Sequence, residues 1–198
     1  MHATRVLGFT TFDTPLGAFA FAWSDAGLVA LALPSQTPAT VERQLFRIVH
    51  TRALGEEETK APVAGLAPPA WALALVEDLK LHVAGTARDF ASTPLDLRNL
   101  TEFRVRVYEA ARKVHAGSTV SYADLARAAA SPGSARAVGR AMATNPFPIV
   151  VPCHRIVAAN GALHGFSAPG GLRTKARLLE IERAPLVTPR DRNLSLFD

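Results

Sequence analysis

A thiol, an imidazole and a guanidinium stand side by side at Cys153-His154-Arg155, the one place in 198 residues where a nucleophile, a base and a permanent cation are consecutive. The thiolate is the reactive form of cysteine, and imidazole and guanidinium neighbours favour it. On an extended segment adjacent side chains point to opposite sides, so contact between Cys153 and His154 needs a bend or a bridging water. A buried structural thiol is the blander alternative, because free cysteine behaves as a small hydrophobe. Cys153 is also the sole cysteine, which excludes an internal disulfide and a four-cysteine zinc site.

The preceding residues read as a rigid mount for this group. Pro146 restricts Asn145 to extended geometry, and Pro148 and Pro152 stiffen the chain on either side of Val150-Val151, so NPFPIVVP (145–152) forms an elbow leading into Cys153. Upstream, Ser121 is placed to cap a helix over YADLARAAA (122–130), aided by Asp124. Ser131-Pro132-Gly133 makes a turn, and Ser134 is placed to cap ARAVGRAMAT (135–144). Two short helices about a Gly-containing turn match a helix-turn-helix, with an ordinary tight helix pair as the alternative. Arg136 and Arg140 are four residues apart and share a face among small residues. A longer helix is expected over 101–117, capped by Thr101 and stopped by Gly117.

The first part of the chain has a different pattern. Residues 5–34 alternate apolar strand runs with turn signals at 13–17 and 24–27, which predicts an antiparallel meander. Helices are expected over 38–50 and 70–85, separated by an acidic, Pro- and Gly-rich stretch whose Glu56–Glu58 run reads as a solvated loop. The extended stretch 87–97 then serves as a linker, with a domain boundary near 93. The chain therefore divides into an N-terminal α/β part (1–93), a C-terminal part carrying the chemistry (94–184) and a polar tail (185–198).

An apolar fraction of 48% and a charged fraction of 20% are those of a soluble globular protein. No apolar run reaches membrane-spanning length and no signal peptide is visible, so a cytoplasmic setting is expected. Residues 1–94 hold seven Lys/Arg against nine Asp/Glu, a balance of −2; residues 95–198 hold fifteen against eight, a balance of +7, thirteen of the fifteen being arginine. A basic second half rich in planar guanidinium forks suits a polyanion, although a solvated basic surface has the same composition.

Taken together, NPFPIVVPCHRIV, SYADLA, SARAVGRAM and GALHGFSAPGGLRTKARLLEIE resemble the O6-alkylguanine-DNA alkyltransferases, the methylated-DNA–protein-cysteine methyltransferases. The resemblance spans residues 95–183 and extends more weakly to TPLGAFAFAWSDAGLVAL. It implies a two-domain α/β fold: a ribonuclease H-like N-terminal sheet with helices, then a mainly α domain with a winged helix-turn-helix. It implies that a monomer binds duplex DNA in the minor groove, flips an O6-alkylguanine out, and moves the alkyl group irreversibly to Cys153, once per molecule. By the same resemblance His154 is the general base through a water, and Glu182 orients it, with Glu180 as the nearby competitor. Asn145 orients the elbow, and Tyr122 donates a hydrogen bond or proton to the departing guanine. Arg136 fills the gap in the base stack, while Ser134, Arg140 and Arg155 complete the DNA-facing set. Phe166, Ser167 and the backbone of Val151 and Val157 form the guanine pocket. Some relatives bind zinc through cysteines, which a chain with one thiol cannot do, so neither metal nor cofactor is expected. Tyrosine is common where Phe166 stands, so stacking is kept there and a hydroxyl is lost. A non-catalytic helix-turn-helix regulator, a lesion-recognition protein and a cysteine hydrolase are the competing readings. The first two do not require PCHR at the end of a proline elbow, and the third lacks an oxyanion motif.

Overall fold

Short-range hydrogen bonds at Thr14 close the first hairpin. Its hydroxyl accepts from Leu16 N–H (3.1 Å) and donates to Gly17 O (2.8 Å), pinning the turn between strands. The computed structural model describes residues 7–53, 62–166 and 169–184. The Glu56–Glu58 run, Ser167 and the 185–198 tail lie outside them. The expected meander is present as β1 (Gly8–Thr14), β2 (Gly17–Ser24) and β3 (Gly27–Ser35), antiparallel and in that order.

Period-two alternation decides what each face of the sheet packs against. Phe19, Phe21 and Trp23 of β2 point to one side with Leu28, Leu31 and Leu33 of β3, and there meet Leu75 and Leu79 of α2 (Ala70–Val83). Ala18, Ala20 and Ala22 line the other side, where small residues let α1 (Pro38–Ile48) seat Val41 and Leu45 against the sheet. A π-helical turn, Val49–Ala53, continues α1. The first core runs without a break into α3 (Glu102–Arg112), α4 (Tyr122–Ala128) and α5 (Ala135–Ala143) through Tyr108, Leu125, Val138 and Met142.

The linker docks on the sheet. Leu28 N–H donates to Pro94 O (2.9 Å) and Asp96 N–H to Leu28 O (2.8 Å). Gly27 makes this possible: at φ 141°, a Cβ there would sit 2.6 Å from Pro94 O. Arg112 Nη2 holds the same stretch through the carbonyls of Phe90, Ala91 and Thr93 at 2.7–2.8 Å.

Helices end before their sequence pattern does, α3 most of all. α3 is capped as expected, Thr101 accepting from Arg104 N–H, but it ends at Arg112. Beyond it Asp89 takes Ala116 N–H (3.0 Å) and His115 Nδ1 (2.8 Å), which draws the chain off the helix axis before Gly117. α4 begins with a full capping box between Ser121 and Asp124 and ends at Ala128, with Ala130 in the left-handed region (φ 52°). A two-residue parallel ladder joins β4 (Val120–Ser121) to β5 (Ile156–Val157), and α6 (Leu172–Ile181) completes the described chain. None of the described helices is long and apolar enough to cross a membrane.

Candidate active site

The proline elbow is held from both flanks. Asn145 spans it, its Nδ2 donating to Val151 O (2.8 Å) and its Oδ1 accepting Phe147 N–H (2.9 Å). Sheet strand β3 reaches it through Leu31 N–H to Pro146 O (2.8 Å). Within this frame Ile149 sits at φ 71°, a conformation a β-branched residue adopts only when its surroundings impose it, at a cost of about 1–3 kcal/mol. Such strain is tolerable because the Ile149 side chain is buried and its neighbours are tied down.

Cys153-His154-Arg155 is not extended, and of the two alternatives, a bend or a bridging water, the chain shows the bend. The three residues form a 3₁₀ turn, with Arg155 N–H donating to Pro152 O (2.9 Å). At about three residues per turn, consecutive side chains fan out instead of opposing each other. Cys153 is 8% exposed and opens onto a cavity of about 360 Å³ whose wall includes Met142, Asn145, Pro148 and Phe166. The opposite wall comes from β3 and α1, including Leu31, Leu33, Gln44 and Arg47. Val151 and Val157 are buried outside that wall. The Val151 carbonyl already accepts from Asn145 and from Cys153 N–H (2.8 Å), so it positions the elbow.

His154 is fully buried, with Nε2 2.9 Å from Glu182 Oε1. An ionised carboxylate only accepts, so Nε2 carries the proton and Nδ1 offers its lone pair; Nδ1 is sealed from solvent and has no hydrogen-bond partner. Glu182 lies immediately after α6 and is likewise buried. Glu180 instead faces solvent and pairs with Arg177 (2.7 Å), so the structure brings Glu182, not its neighbour, to the histidine.

Arg155 overturns its expected DNA-facing place. It is 2% exposed, with Nη2 2.7 Å and Nε 3.0 Å from the two Glu182 oxygens, and Nη1 on Val114 O (2.5 Å) and Asp89 (3.2 Å). Those contacts give the buried carboxylate its counter-charge. Desolvation alone would raise the Glu182 pKa, but donors from His154, His82 and Arg155 hold it far below the usual carboxylate range. Burial pushes the His154 pKa down despite the opposing Glu182 interaction, so the imidazole is neutral near pH 7. Burial pushes the Cys153 thiol up, opposed by the Asn145 side chain and the charge of Lys175. The resting nucleophile is therefore a protonated thiol beside a neutral base.

Sequence reasoning missed Lys175 and His82. Lys175 is fully buried, its Nζ donating to Ile156 O (2.5 Å) and His164 O (3.0 Å) and lying 5.9 Å from the Tyr122 ring centroid. Burial lowers its pKa to about 8 against the pull of Cys153. Its signal was present: it lies one turn before Leu178 and Leu179 on the buried stripe of α6. Tyr122, the first residue of α4, also donates to His164 O (3.2 Å), so that loop carbonyl ties two polar groups of the site together. Gly165 (φ 56°) comes next, and a Cβ there would approach the Tyr122 hydroxyl to 3.6 Å.

Helix α5 offers a basic outer face. Arg136 and Arg140 are exposed, and among the described residues neither joins an ion pair. Ser134 occupies the N-cap position, but its side chain makes no capping bond, in contrast to expectation; its backbone (φ −90°, ψ 23°) is not in the extended geometry that aims a cap hydroxyl at the helix. His82, His154 and Glu182 place ligand-type atoms within 4.8 Å of one another. Arg155 already occupies both oxygens of that carboxylate, so the cluster is a charge-compensated hydrogen-bond relay and does not suit a cation.

Residues 102–184 match the family model of the 6-O-methylguanine DNA methyltransferase DNA binding domain. The chain is 43% identical over 123 residues to a methylated-DNA–protein-cysteine methyltransferase of Mycobacterium leprae, covering 62% of this chain and 70% of that protein. The crystal structure of Mycobacterium tuberculosis OGT in complex with DNA is similar with a TM-score of 0.65 and 34% identity, over 96% of this chain and 99% of that one. A methylated-DNA–protein-cysteine methyltransferase of Mycolicibacterium paratuberculosis is 35% identical over 193 residues, 98% of this chain and 100% of the relative. Similarity that runs the whole length of such a relative places the chain in the family of methylated-DNA–protein-cysteine methyltransferases.

Proposed function

We propose that this protein repairs duplex DNA by moving the alkyl group of O6-alkylguanine, and of O4-alkylthymine where that lesion fits, onto Cys153, irreversibly and once per molecule. The observation that carries this reading is the thiol at the cavity, beside a buried base whose Nε2 is held by Glu182 and whose Nδ1 is free. A water relays the thiol proton to Nδ1, and Glu182 stabilises the imidazolium that forms. The thiolate sulfur attacks the alkyl carbon in line; the C–S bond forms as the carbon–O6 bond breaks, and the electron pair leaves on the guanine. Tyr122 donates a hydrogen bond or proton to that developing anion. A thioether has no comparable leaving group, so nothing regenerates the thiol.

The DNA-facing part of the reading is supported by α4 and α5. Their pairing fits a helix-turn-helix with α5 in the minor groove, whose degenerate pattern suits repair that ignores base sequence. Arg136 enters the stack as the lesion swings out, Arg140 and Ser134 hold phosphate, and Phe166 packs on the flipped base with Ser167 nearby. Residues 94–184 form the winged helix-turn-helix domain that carries the reaction; residues 1–93 are the ribonuclease H-like support, and the protein acts as a cytoplasmic monomer.

Intact-protein mass spectrometry after incubation with duplex carrying O6-methylguanine tests the reading: one methyl group is expected, and repeated turnover contradicts it. Arg136→Ala should slow repair of duplex DNA about tenfold while sparing reaction with a free O6-alkylguanine base. Equal losses on both substrates would remove the stack-filling role.

The pH dependence follows from the two buried bases. Transfer needs neutral His154, whose depressed pKa puts the acid limb below 6.5, and charged Lys175, which loses its proton near pH 8. Single-turnover rates should therefore rise from acid, peak near neutrality and fall above about pH 8. A rate still climbing at pH 9 would show that Lys175 does not stabilise the thiolate.

A further inference from the structure

The relay has a third donor from the other half of the chain. His82 lies on the buried stripe of α2 with Leu75 and Leu79 and is itself fully buried. Its Nδ1 accepts the backbone N–H of Arg88 at 3.1 Å. A ring nitrogen that accepts cannot carry the proton, so in the neutral imidazole the proton sits on Nε2. That atom stands 3.2 Å from Glu182 Oε1, the same oxygen that His154 engages at 2.9 Å. The N–H of His82 is not aligned on the oxygen, and Nε2 is otherwise without a partner. Phe90 packs edge-on against the ring at 5.3 Å and limits its rotation.

We propose that His82 is a positioning residue for alkyl transfer: a fixed, neutral donor that draws on Glu182 Oε1, tunes how strongly the carboxylate pulls on His154, and ties the N-terminal half to the reaction. This rests on the reading of Cys153 as the alkyl acceptor and His154 as its base. Both histidine N–H groups and Arg155 Nη2 (2.7 Å) share this one oxygen, so each weakens the others' claim on its charge. With His82 in place Glu182 holds His154 in its productive tautomer without making it so basic that it protonates early. Hydrogen bonds of a catalytic site are often poorly aligned before substrate is bound and tighten in its complex. The titratable and charged groups facing the cluster are Glu182 after α6, His154 and Arg155 of the 3₁₀ turn, and Asp89 of the linker, which pairs with Arg155. Arg155 is present with or without His82, so the overall charge balance survives loss of the ring, and the titratable partner of Oε1 whose basicity then changes is His154.

Two variants and one spectrum test this. Nitrogen-15 NMR of histidine-labelled wild-type protein should show His82 neutral, protonated on Nε2 and bare on Nδ1. His82→Phe keeps the ring volume and removes the donor. Single-turnover transfer from O6-methylguanine duplex should slow about tenfold, the loss of one hydrogen bond to a charged group. Its acid limb should move to higher pH, because a Glu182 oxygen with one donor fewer pulls harder on His154 and makes it more basic. His82→Gln, which can still donate to Oε1, should keep the wild-type limb. A purely structural ring would lower the active fraction in both variants without moving either limb. A proton on Nδ1, an unmoved limb in His82→Phe, or a shifted limb in His82→Gln would each overturn the proposal. Should His82→Phe not fold, the tautomer and the His82→Gln limb still decide it. Wild-type protein that never methylates Cys153 would sink the alkyl-acceptor reading instead, and the tautomer would remain measurable.

Discussion

Cys153→Ser is expected to lose methyl transfer by at least about a thousandfold, about 4 kcal/mol in the barrier, while keeping its fold and its affinity for DNA. Sulfur and oxygen differ here in acidity before anything else. Burial already raises the thiol, and a serine hydroxyl in the same position is far less acidic again. His154, whose own pKa is depressed by burial, cannot take that proton at a useful rate. Stability should change by no more than about 1 kcal/mol, because the residue is small and Asn145 is close enough to satisfy a hydroxyl. Intact mass spectrometry should find one methyl group on the wild-type protein, localised to the peptide containing Cys153, and none on the variant. A second addition of methylated duplex should leave the wild-type mass unchanged. An adduct on any other side chain would remove the assignment of the nucleophile.

Glu182→Gln should damage both stability and chemistry. The carboxylate is fully buried, and Arg155, 2% exposed, relies on it for most of its counter-charge, with Asp89 as a more distant second partner. Removing one member of a buried pair leaves the other charge uncompensated and costs about 3–5 kcal/mol. The denaturation midpoint should fall with an unchanged m-value. The amide oxygen still accepts from His154, but without a charge it stabilises the imidazolium poorly, and transfer should slow about a hundredfold. The pH dependence of wild-type stability has a definite sign. Because the folded pKa of Glu182 lies below its ordinary 4.5, its contribution is complete above that value and is lost only as pH falls further. A variant within about 1 kcal/mol of wild type would show that Asp89 alone compensates Arg155.

The architecture was legible where order is local. Turn residues at 13–17 and 24–27 and alternation through Phe19, Phe21 and Trp23 place the meander, and capping residues at 101 and 121 start their helices where expected. Helix ends were less legible. Asp89 stops α3 early from outside the helix, and no pattern within 101–117 carries that information. The 3₁₀ turn at Cys153 was left open by the sequence for a similar reason. A proline-rich approach favours extended backbone, yet the strained Ile149 and the Asn145 bridge bend the chain just before the nucleophile.

Residue types and neighbours along the chain determined the candidate thiol–imidazole pair, the rigid elbow and the basic helix of Arg136 and Arg140. Those depend on properties of a few consecutive residues. Which arginines are available to DNA was decided only by folding. The balance of +7 in the second half counts Arg155, which is buried on Glu182; Arg112, which holds the linker carbonyls; and Arg104, which bonds Tyr108 and Thr144. Composition cannot separate these internally bonded cations from Arg136 and Arg140, since charge is counted per residue and its partners are set by contacts far apart in sequence. The same holds for the relay. His154 meets Glu182 from 28 positions away, and His82 and Lys175 reach the site from α2 and α6. Helical period shows that each of the last two lies on a buried stripe, but only packing chooses the partner that makes burial of a polar group tolerable.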